Sequence, residues 1–201
     1  MKLKPEYYLN EDVVALAKDL LGKVLYTQIN GEITSGIIVE TEAYFGIKDK
    51  ASHAYGGRRT NRTEVMFNQG GIAYVYLCYG MHNLFNVVSS VKDDPHAVLI
   101  RAVEPLDGKK IIEERRNMPF TKAAISSGPG SVAKALGIDR SFNTKDLNGT
   151  EIWIEDHQIT YQDEEIVAGP RVGIAYAKEH ALLPWRFFVK GNKYVSKPNK
   201  V

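Results

Sequence analysis

Ile72-Ala73-Tyr74-Val75-Tyr76-Leu77-Cys78-Tyr79-Gly80-Met81-His82-Asn83-Leu84-Phe85-Asn86-Val87-Val88-Ser89-Ser90 is the stretch that decides the fold. β-Branched and aromatic residues fill both sides of a break at Gly80-Met81-His82, so two strands are expected, near 72–79 and 84–90, joined as a hairpin. A third strand is expected near 97–103. Upstream, Asn30-Gly31 separates 23–28 from 34–44, and Asn-Gly supplies the positive-φ pair that a tight hairpin turn requires. Strands and helices do not alternate as they do in a parallel βαβ sheet. The expected fold is therefore α+β: a single domain over the whole chain, with a mainly antiparallel curved sheet, flanking helices and a protruding β-hairpin.

The helices are expected around this sheet. Val13, Val14, Leu16, Ala17, Leu20 and Leu21 have helical spacing over 11–21, with Asn10 as cap, Leu9 as staple and Gly22 as stop. Asn61 and Glu64 have capping-box spacing on a short helix over 62–67, which Gly70-Gly71 ends. An exposed helix is expected over 108–117. Ser127-Gly128-Pro129-Gly130 is read as a turn into a helix that stops at Gly137.

At 201 residues with a net charge of +2, the composition is that of an ordinary globular domain. No apolar run approaches the roughly 20 residues of a membrane span, and the first residues lack the apolar core of a secretion signal. The single cysteine, Cys78, excludes an internal disulfide and a cysteine-cluster zinc site, which fits a reducing, intracellular compartment. The histidines show no metal-ligand spacing, so neither metal nor cofactor is expected. Charge is unevenly placed. From Ala181 onward there is no Asp or Glu, while Arg186, Lys190, Lys193, Lys197 and Lys200 are present; Arg58, Arg59 and Arg62 form a second cluster. Solubilising surface patches are the plainer explanation, and an anionic partner needs further signals.

Those signals lie between 39 and 101. In Val39-Glu40-Thr41-Glu42-Ala43-Tyr44, strand alternation puts Glu40, Glu42 and Tyr44 on one face and Val39, Thr41 and Ala43 on the core side. A carboxylate beside a tyrosine at a strand end suits water activation, although glutamates on strands usually face solvent. Alternation alone does not choose between Glu40 and Glu42. His53 is read as a ligand contact or a structural donor to a carbonyl. Tyr79 and Met81 fall at a hairpin tip, where polar residues are normal; apolar side chains on a protrusion suit insertion into a groove or between stacked bases, against the alternative of a hairpin lying flat on the core. Arg101, inside the apolar run Ala97-Val98-Leu99-Ile100-Arg101-Ala102, needs a partner when buried, and Glu42 and Glu104 are the candidates. A carboxylate to activate water, aromatics to hold a planar ring and arginines to hold phosphates together point to hydrolysis of a base from DNA.

The chain resembles the alkyladenine DNA glycosylase family, the 3-methyladenine DNA glycosylases of the mammalian type. The resemblance is carried by Val39 to Tyr44, Gly56-Gly57-Arg58 with Thr60, Met66-Phe67, Tyr74-Val75-Tyr76, Tyr79-Gly80-Met81, Asn86, Leu99 to Pro105, Ser127-Gly128-Pro129, Arg171-Val172-Gly173 and Trp185-Arg186-Phe187-Phe188-Val189. These segments span nearly the whole chain in order. The family implies a monofunctional enzyme that flips alkylated or deaminated purines out of duplex DNA through the minor groove and hydrolyses the N-glycosidic bond, starting base excision repair. On that resemblance Glu42 is the general base and Arg101 helps hold its water. Tyr44, His53 and Tyr76 line the base pocket, and Asn86 crowds the exocyclic amine of normal guanine. Tyr79 is the wedge and Met81 accompanies it in the groove, while Arg58 and Thr60 lie in a phosphate-contact loop. His82 departs from the aromatic that vertebrate members carry after Tyr-Gly-Met, and the loop from Ser90 to His96 is slightly longer. The absence of a long N-terminal extension suggests a compact bacterial form. The implied partner is double-stranded DNA containing damaged purines; no membrane association is expected, and the protein is expected to be a monomer. A non-catalytic damaged-DNA-binding protein is the alternative, and it would need no base. A lysine-dependent lyase and a small-molecule nucleosidase fit the motifs and the basic tail less well.

Overall fold

The computed structural model describes residues 1–198. Eight strands build one curled antiparallel sheet with helices packed beside it, an α+β fold. They are β1 Val24–Ile29, β2 Glu32–Tyr44, β3 Ala73–Cys78, β4 His82–Ser89, β5 His96–Pro105, β6 Ile152–Glu155, β7 Ile166–Gly169 and β8 Arg186–Val189. Their order is β3-β4-β5-β2-β1-β6, with β8 pairing both β2 and β7. β2 is the spine. One of its edges pairs with β5, while the other is shared by β1 along the first half and β8 along the second. The face that carries Glu40 and Glu42 is covered by Arg101, Arg186, Ser196 and Val172, so the solvated face that strand glutamates usually have does not exist here. Both glutamates are fully buried, as are Val39, Thr41 and Ala43 behind them.

The α-helices are α1 Val13–Asp19, α2 Lys109–Arg116 and α3 Pro129–Leu136. α2 and α3 lie where expected, and α3 ends at Gly137, whose φ of 70° is the left-handed cap. α1 is shorter than expected. Its cap is Asp12, which accepts from Val14 N at 3.1 Å and Ala15 N at 2.9 Å, whereas Asn10 spends its side chain on Asp12 N. Leu9 closes a preceding 3₁₀ turn, Pro5–Leu9, and is no staple. Two Asx residues compete here, and the one in register with the first helical amides wins. The capping box at Asn61 is also absent. A 3₁₀ turn, Glu64–Phe67, hangs from the Thr60 carbonyl, which accepts from Thr63 N and Glu64 N, while Arg59 engages the Glu64 carboxylate.

One large apolar cluster lies between the sheet and the helices. A smaller one, with Ala54, Val65, Met66, Phe67, Tyr74, Val88 and Ala97, roots the irregular segment 51–67 against β3–β5. That second cluster fixes His53 and the arginine loop beside the sheet. At the far end of β3–β4, Cys78 pairs with His82 and leaves Tyr79-Gly80-Met81 as the hairpin tip. The tip is braced at its base, because the His82 ring fills the space where any side chain on Gly130 of α3 would stand.

Candidate active site

The site begins with an irregularity in the central ladder. β2 and β5 pair Ile38 with Val103, Glu40 with Ala102 and Thr41 with Ile100, so the register slips around Val39 and Arg101. A bulge of this kind re-aims a side chain. Arg101 leaves the ladder and points at both glutamates: Nε donates to Glu40 Oε1 at 2.8 Å, and Nη1 lies 3.3 Å from Glu42 Oε1. Glu104, the other candidate partner, instead accepts from Asn192 at the end of β5. Burial opposes the charge on Arg101, but Glu42 and Glu40 outweigh it and hold its pKa above the usual value.

The two glutamates are not equivalent. Glu40 receives four donors: Arg101 Nε, Arg186 Nε at 2.7 Å, Ser196 Oγ at 2.8 Å and Ser196 N at 2.7 Å. Three of these bonds fall on Oε1 and one on Oε2, and neither Arg186 nor Ser196 is among the residues that line the cavity of the site. Glu42 Oε1 faces Arg101 and accepts from Val172 N at 2.7 Å, while Oε2 accepts only from Tyr44 OH at 2.8 Å. Among the described residues Oε2 of each glutamate thus has a single donor. Arg186 is correspondingly no surface cation. It is buried between Glu40 and the carbonyls of Ser196 and Pro198. Lys190, Lys193 and Lys197 are exposed, and Lys200 lies outside the described residues.

Above this floor opens a cavity of about 390 Å³, lined among others by Tyr44, His53, Arg62, Tyr74, Tyr76, Asn86 and Arg101. That volume falls in the range of small-molecule sites. Tyr44 is held by the Arg171 guanidinium, 4.8 Å over its ring, and Arg171 is locked to both oxygens of the buried Asp49. Burial and the Glu42 charge push the Tyr44 hydroxyl far above its normal pKa, so it stays a donor to Glu42. Arg171 also holds Asp49 below the usual carboxylate range against the opposing effect of burial. His53 Nδ1 lies 2.9 Å from Tyr74 OH, and its ring meets Tyr76 edge-on at 4.7 Å. Burial first, then the charges of Arg62 and Arg58, push His53 down to about 4, so it is neutral at pH 7. Asn86 sits between β3 and β5, with Nδ2 donating to Tyr74 O at 3.1 Å.

The tip and the loop stand apart from this floor. Tyr79 is 88 % exposed and Met81 73 % exposed, so neither belongs to the core. Tyr79 reaches the cavity rim, whereas Met81 faces a separate groove along α3. Tyr79 holds a φ of +50°, a region that non-glycine residues avoid at a cost of about 1–3 kcal/mol. Arg58 and Thr60 are exposed and outside the cavity lining, with Thr60 Oγ1 close to Thr63 Oγ1. Arg59 is occupied by Glu64 and Asp93. Sequence reasoning missed Glu40, Arg186 and Ser196 as the support of Arg101, Val172 N as a donor to Glu42, and Tyr74 and Arg62 as cavity walls. For Tyr74 a signal was present, because it shares a strand face with Tyr76. Among the described residues no three His, Cys, Asp or Glu side chains are placed to hold a metal ion, and no helix is long and apolar enough to cross a membrane.

The sequence profile of the family described as methylpurine-DNA glycosylase matches residues 7–193. Several bacterial relatives carry the name "Putative 3-methyladenine DNA glycosylase". One from Chlamydia abortus is 49 % identical over 190 residues, covering 93 % of this chain and 97 % of its own. One from Clostridium perfringens is 47 % identical over 207 residues, covering 98 % of this chain and 100 % of its own. One from Natranaerobius thermophilus is 46 % identical over 198 residues, covering 98 % and 99 %.

Proposed function

The chain belongs to the methylpurine-DNA glycosylase family, and from that premise we propose how it removes a base from DNA. Members of the family are hydrolases of N-glycosyl bonds that act in DNA repair. In the proposed reaction the whole chain works as one glycosylase domain, a monomer on the minor groove of duplex DNA. The damaged purine leaves the stack, because a glycosidic bond inside a duplex is out of reach. Tyr79 fills the gap, with Met81 beside it, and Arg58 and Thr60 hold phosphates. The base enters the cavity between Tyr44 and Tyr76, with His53 and Asn86 at its edges; stacking of this kind contributes roughly 1–3 kcal/mol per base in single-strand binders.

Glu42 then accepts a proton from a water that bonds to C1′ of the sugar as the C1′–N bond breaks and the purine leaves with that bond's electron pair. Its negative charge also steadies the oxocarbenium-like charge that develops there. Arg101 orients that water and keeps positive charge beside Oε1. The side chain of Glu42 is fully buried behind Tyr44 and Arg101, so these interactions act away from bulk solvent, where electrostatic attraction is stronger. One observation carries the assignment: all three partners of Glu42, namely Tyr44, Arg101 and Val172, line the cavity, whereas Arg186 and Ser196, which hold Glu40, do not.

The test uses duplexes that each carry one defined lesion: 3-methyladenine, 7-methylguanine, hypoxanthine or ethenoadenine. Release of the base from at least one, leaving an intact abasic site and no borohydride-trapped adduct, is the expected result. A trapped adduct would move the chemistry to a lysine. Tight binding to every lesion with no release would favour the non-catalytic damage binder.

A further inference from the structure

We propose that Tyr176 holds the deoxyribose of the flipped nucleotide: its ring, at the cavity mouth on the Glu42 side, packs against the sugar and sets C1′ before the general base. This rests on the reading of the cavity as the base pocket and of Glu42 as the base, and it adds the residue that receives the sugar.

Tyr176 is 64 % exposed and still lines the cavity. Among the described residues, Leu77, Tyr79 and Tyr176 are the exposed large apolar side chains that do so. Leu77 and Tyr79 belong to β3 and its hairpin. Tyr176 comes from a different wall, formed by Val172, Gly173, Ile174 and Tyr176, which begins at the amide that donates to Glu42. The ring is presented from a rooted turn. Ile174 and Ala177, on either side of it, are buried in a cluster with Ala51, and the chain kinks directly afterwards at Lys178, whose φ is +55°. A non-glycine residue is kept in that region only where its surroundings fix it. Burial is the main cause that raises the Tyr176 hydroxyl above its ordinary pKa; Arg171 opposes the rise, and Asp49, Glu42 and Tyr79 add to it. The side chain therefore has both the proposed base and the proposed wedge within electrostatic reach.

The two ends of this side chain are used differently. The hydroxyl donates to Ala51 O at 3.2 Å. A phenol has one proton to give, so none is left for a phosphate. The base already has Tyr44 and Tyr76 as its walls in the proposed reaction. What Tyr176 offers is an open carbon surface, and outside the base the carbon–hydrogen surface of a nucleotide is its sugar. An aromatic side chain with its polar end tied and its ring open suits such a surface. The position agrees, because attack by the water requires C1′ at Glu42, and the wall that carries Tyr176 starts at the amide that holds Glu42. Holding the sugar fixes the reacting carbon relative to that water, and small misplacements of a reacting centre are costly in rate.

The experiment measures binding and single-turnover excision with three duplexes of one sequence: undamaged, carrying a lesion that the unsubstituted chain releases, or carrying a tetrahydrofuran abasic site, which presents a sugar without a base. The proteins are the unsubstituted chain, Tyr176→Ser and Tyr176→Phe, each checked by circular dichroism and melting. Tyr176→Ser is expected to weaken binding of the tetrahydrofuran duplex about tenfold, the effect of uncovering roughly 50 Å² of apolar contact, and to leave binding of undamaged DNA unchanged. Excision of the lesion should fall by at least the same factor. Tyr176→Phe keeps the ring and should restore most of both losses. Unchanged binding of the tetrahydrofuran duplex in Tyr176→Ser overturns the proposal while leaving the glycosylase reading intact. So does a loss confined to the base-bearing duplex, which would give the ring to the base, and so does a loss shared by undamaged DNA with a shallower salt dependence, which would make it a backbone contact. A Tyr176→Phe as weak as Tyr176→Ser would assign the effect to the hydroxyl, and a large fall in melting temperature would place the ring in the core; each has the same consequence. Failure of the unsubstituted chain to release any of the four lesions overturns the glycosylase reading and this inference together.

Discussion

The cavity floor and the hairpin tip break the same burial rule in opposite directions. Charged side chains normally face water and large apolar ones the core. The floor buries Glu40, Glu42, Arg101 and Arg186, and the tip exposes Tyr79 and Met81. The floor is closed, with each charge met by another from the same chain. The tip is open, and Tyr79 even holds an unfavourable backbone angle without gaining burial. Groups satisfied within the chain are supports; groups left unsatisfied are addressed to something that arrives. Glu42 is the borderline case, held by three groups that themselves line the cavity.

The sharpest way to break this comparison is inside the floor. Glu42→Gln keeps the shape and leaves Arg101 with Glu40, so the fold and damaged-DNA binding should persist while excision falls by about 10²–10⁴-fold. Glu40→Gln should do the reverse. It strands Arg101 and Arg186 beside a neutral amide, and loss of one member of a buried ion pair costs about 3–5 kcal/mol. Single-turnover kinetics and urea unfolding on both variants check the pair. A stable, inactive Glu40→Gln beside an active Glu42→Gln would exchange their roles.

At the tip the expectation is inverted. Tyr79→Ser should leave melting almost unmoved, within about 0.5 kcal/mol as for other exposed sites, while excision from duplex DNA falls and a fluorescent base analogue reports less flipping. Truncating a core aromatic costs roughly 3–5 kcal/mol instead. A large drop in melting temperature with normal flipping would remove the wedge argument.

The tip was legible in the sequence because it is local: strand propensity on both sides of Gly80 fixes a hairpin, and a hairpin fixes its own end. The floor was legible only in part. Alternation put Glu40 and Glu42 on one face, but nothing local says that Arg186 of β8 and Ser196 fill that face, or that the ladder slips at Arg101. Glu42 was singled out by resemblance, whereas its difference from Glu40 lies in Ser196 and Arg186, more than 140 positions away. Arg62 was hidden for a similar reason. In a run with Arg58 and Arg59 it looks like one more surface cation until the fold turns it onto Tyr76.

Between floor and tip lies the His53 wall, which should report itself through pH. His53 falls from 6.5 to about 4 on folding, chiefly through burial. The unfolded chain therefore binds the extra proton first, and stability is lost as pH falls from 6.5 towards 4, with the contribution complete above that window. His53→Gln should flatten the urea-midpoint profile between pH 7 and pH 5. The groups facing His53 are Arg62, Arg58, Tyr74 and Tyr76, with no carboxylate and no second histidine among them. A profile equally steep in the variant would assign the slope to other residues.

The smallest expected effect separates Arg58 from Arg59, neighbours in sequence that repeat the open and closed contrast within one loop. Arg59 is closed, donating to both oxygens of Glu64 and to Asp93. Arg58 is exposed outside the cavity, and among the described residues no carboxylate lies within salt-bridge distance of it. A side chain already satisfied by carboxylates has little to give a phosphate, whereas an unpaired one releases a counterion when it binds. The slope of log affinity against log salt should therefore lose about one unit of magnitude in Arg58→Ala. In Arg59→Ala it should stay unchanged, with any loss of affinity following disorder of the loop instead. Equal slopes for both variants and the unsubstituted chain would leave Arg58 as a solubilising charge and move the phosphate contacts elsewhere, first to the exposed Lys190, Lys193 and Lys197.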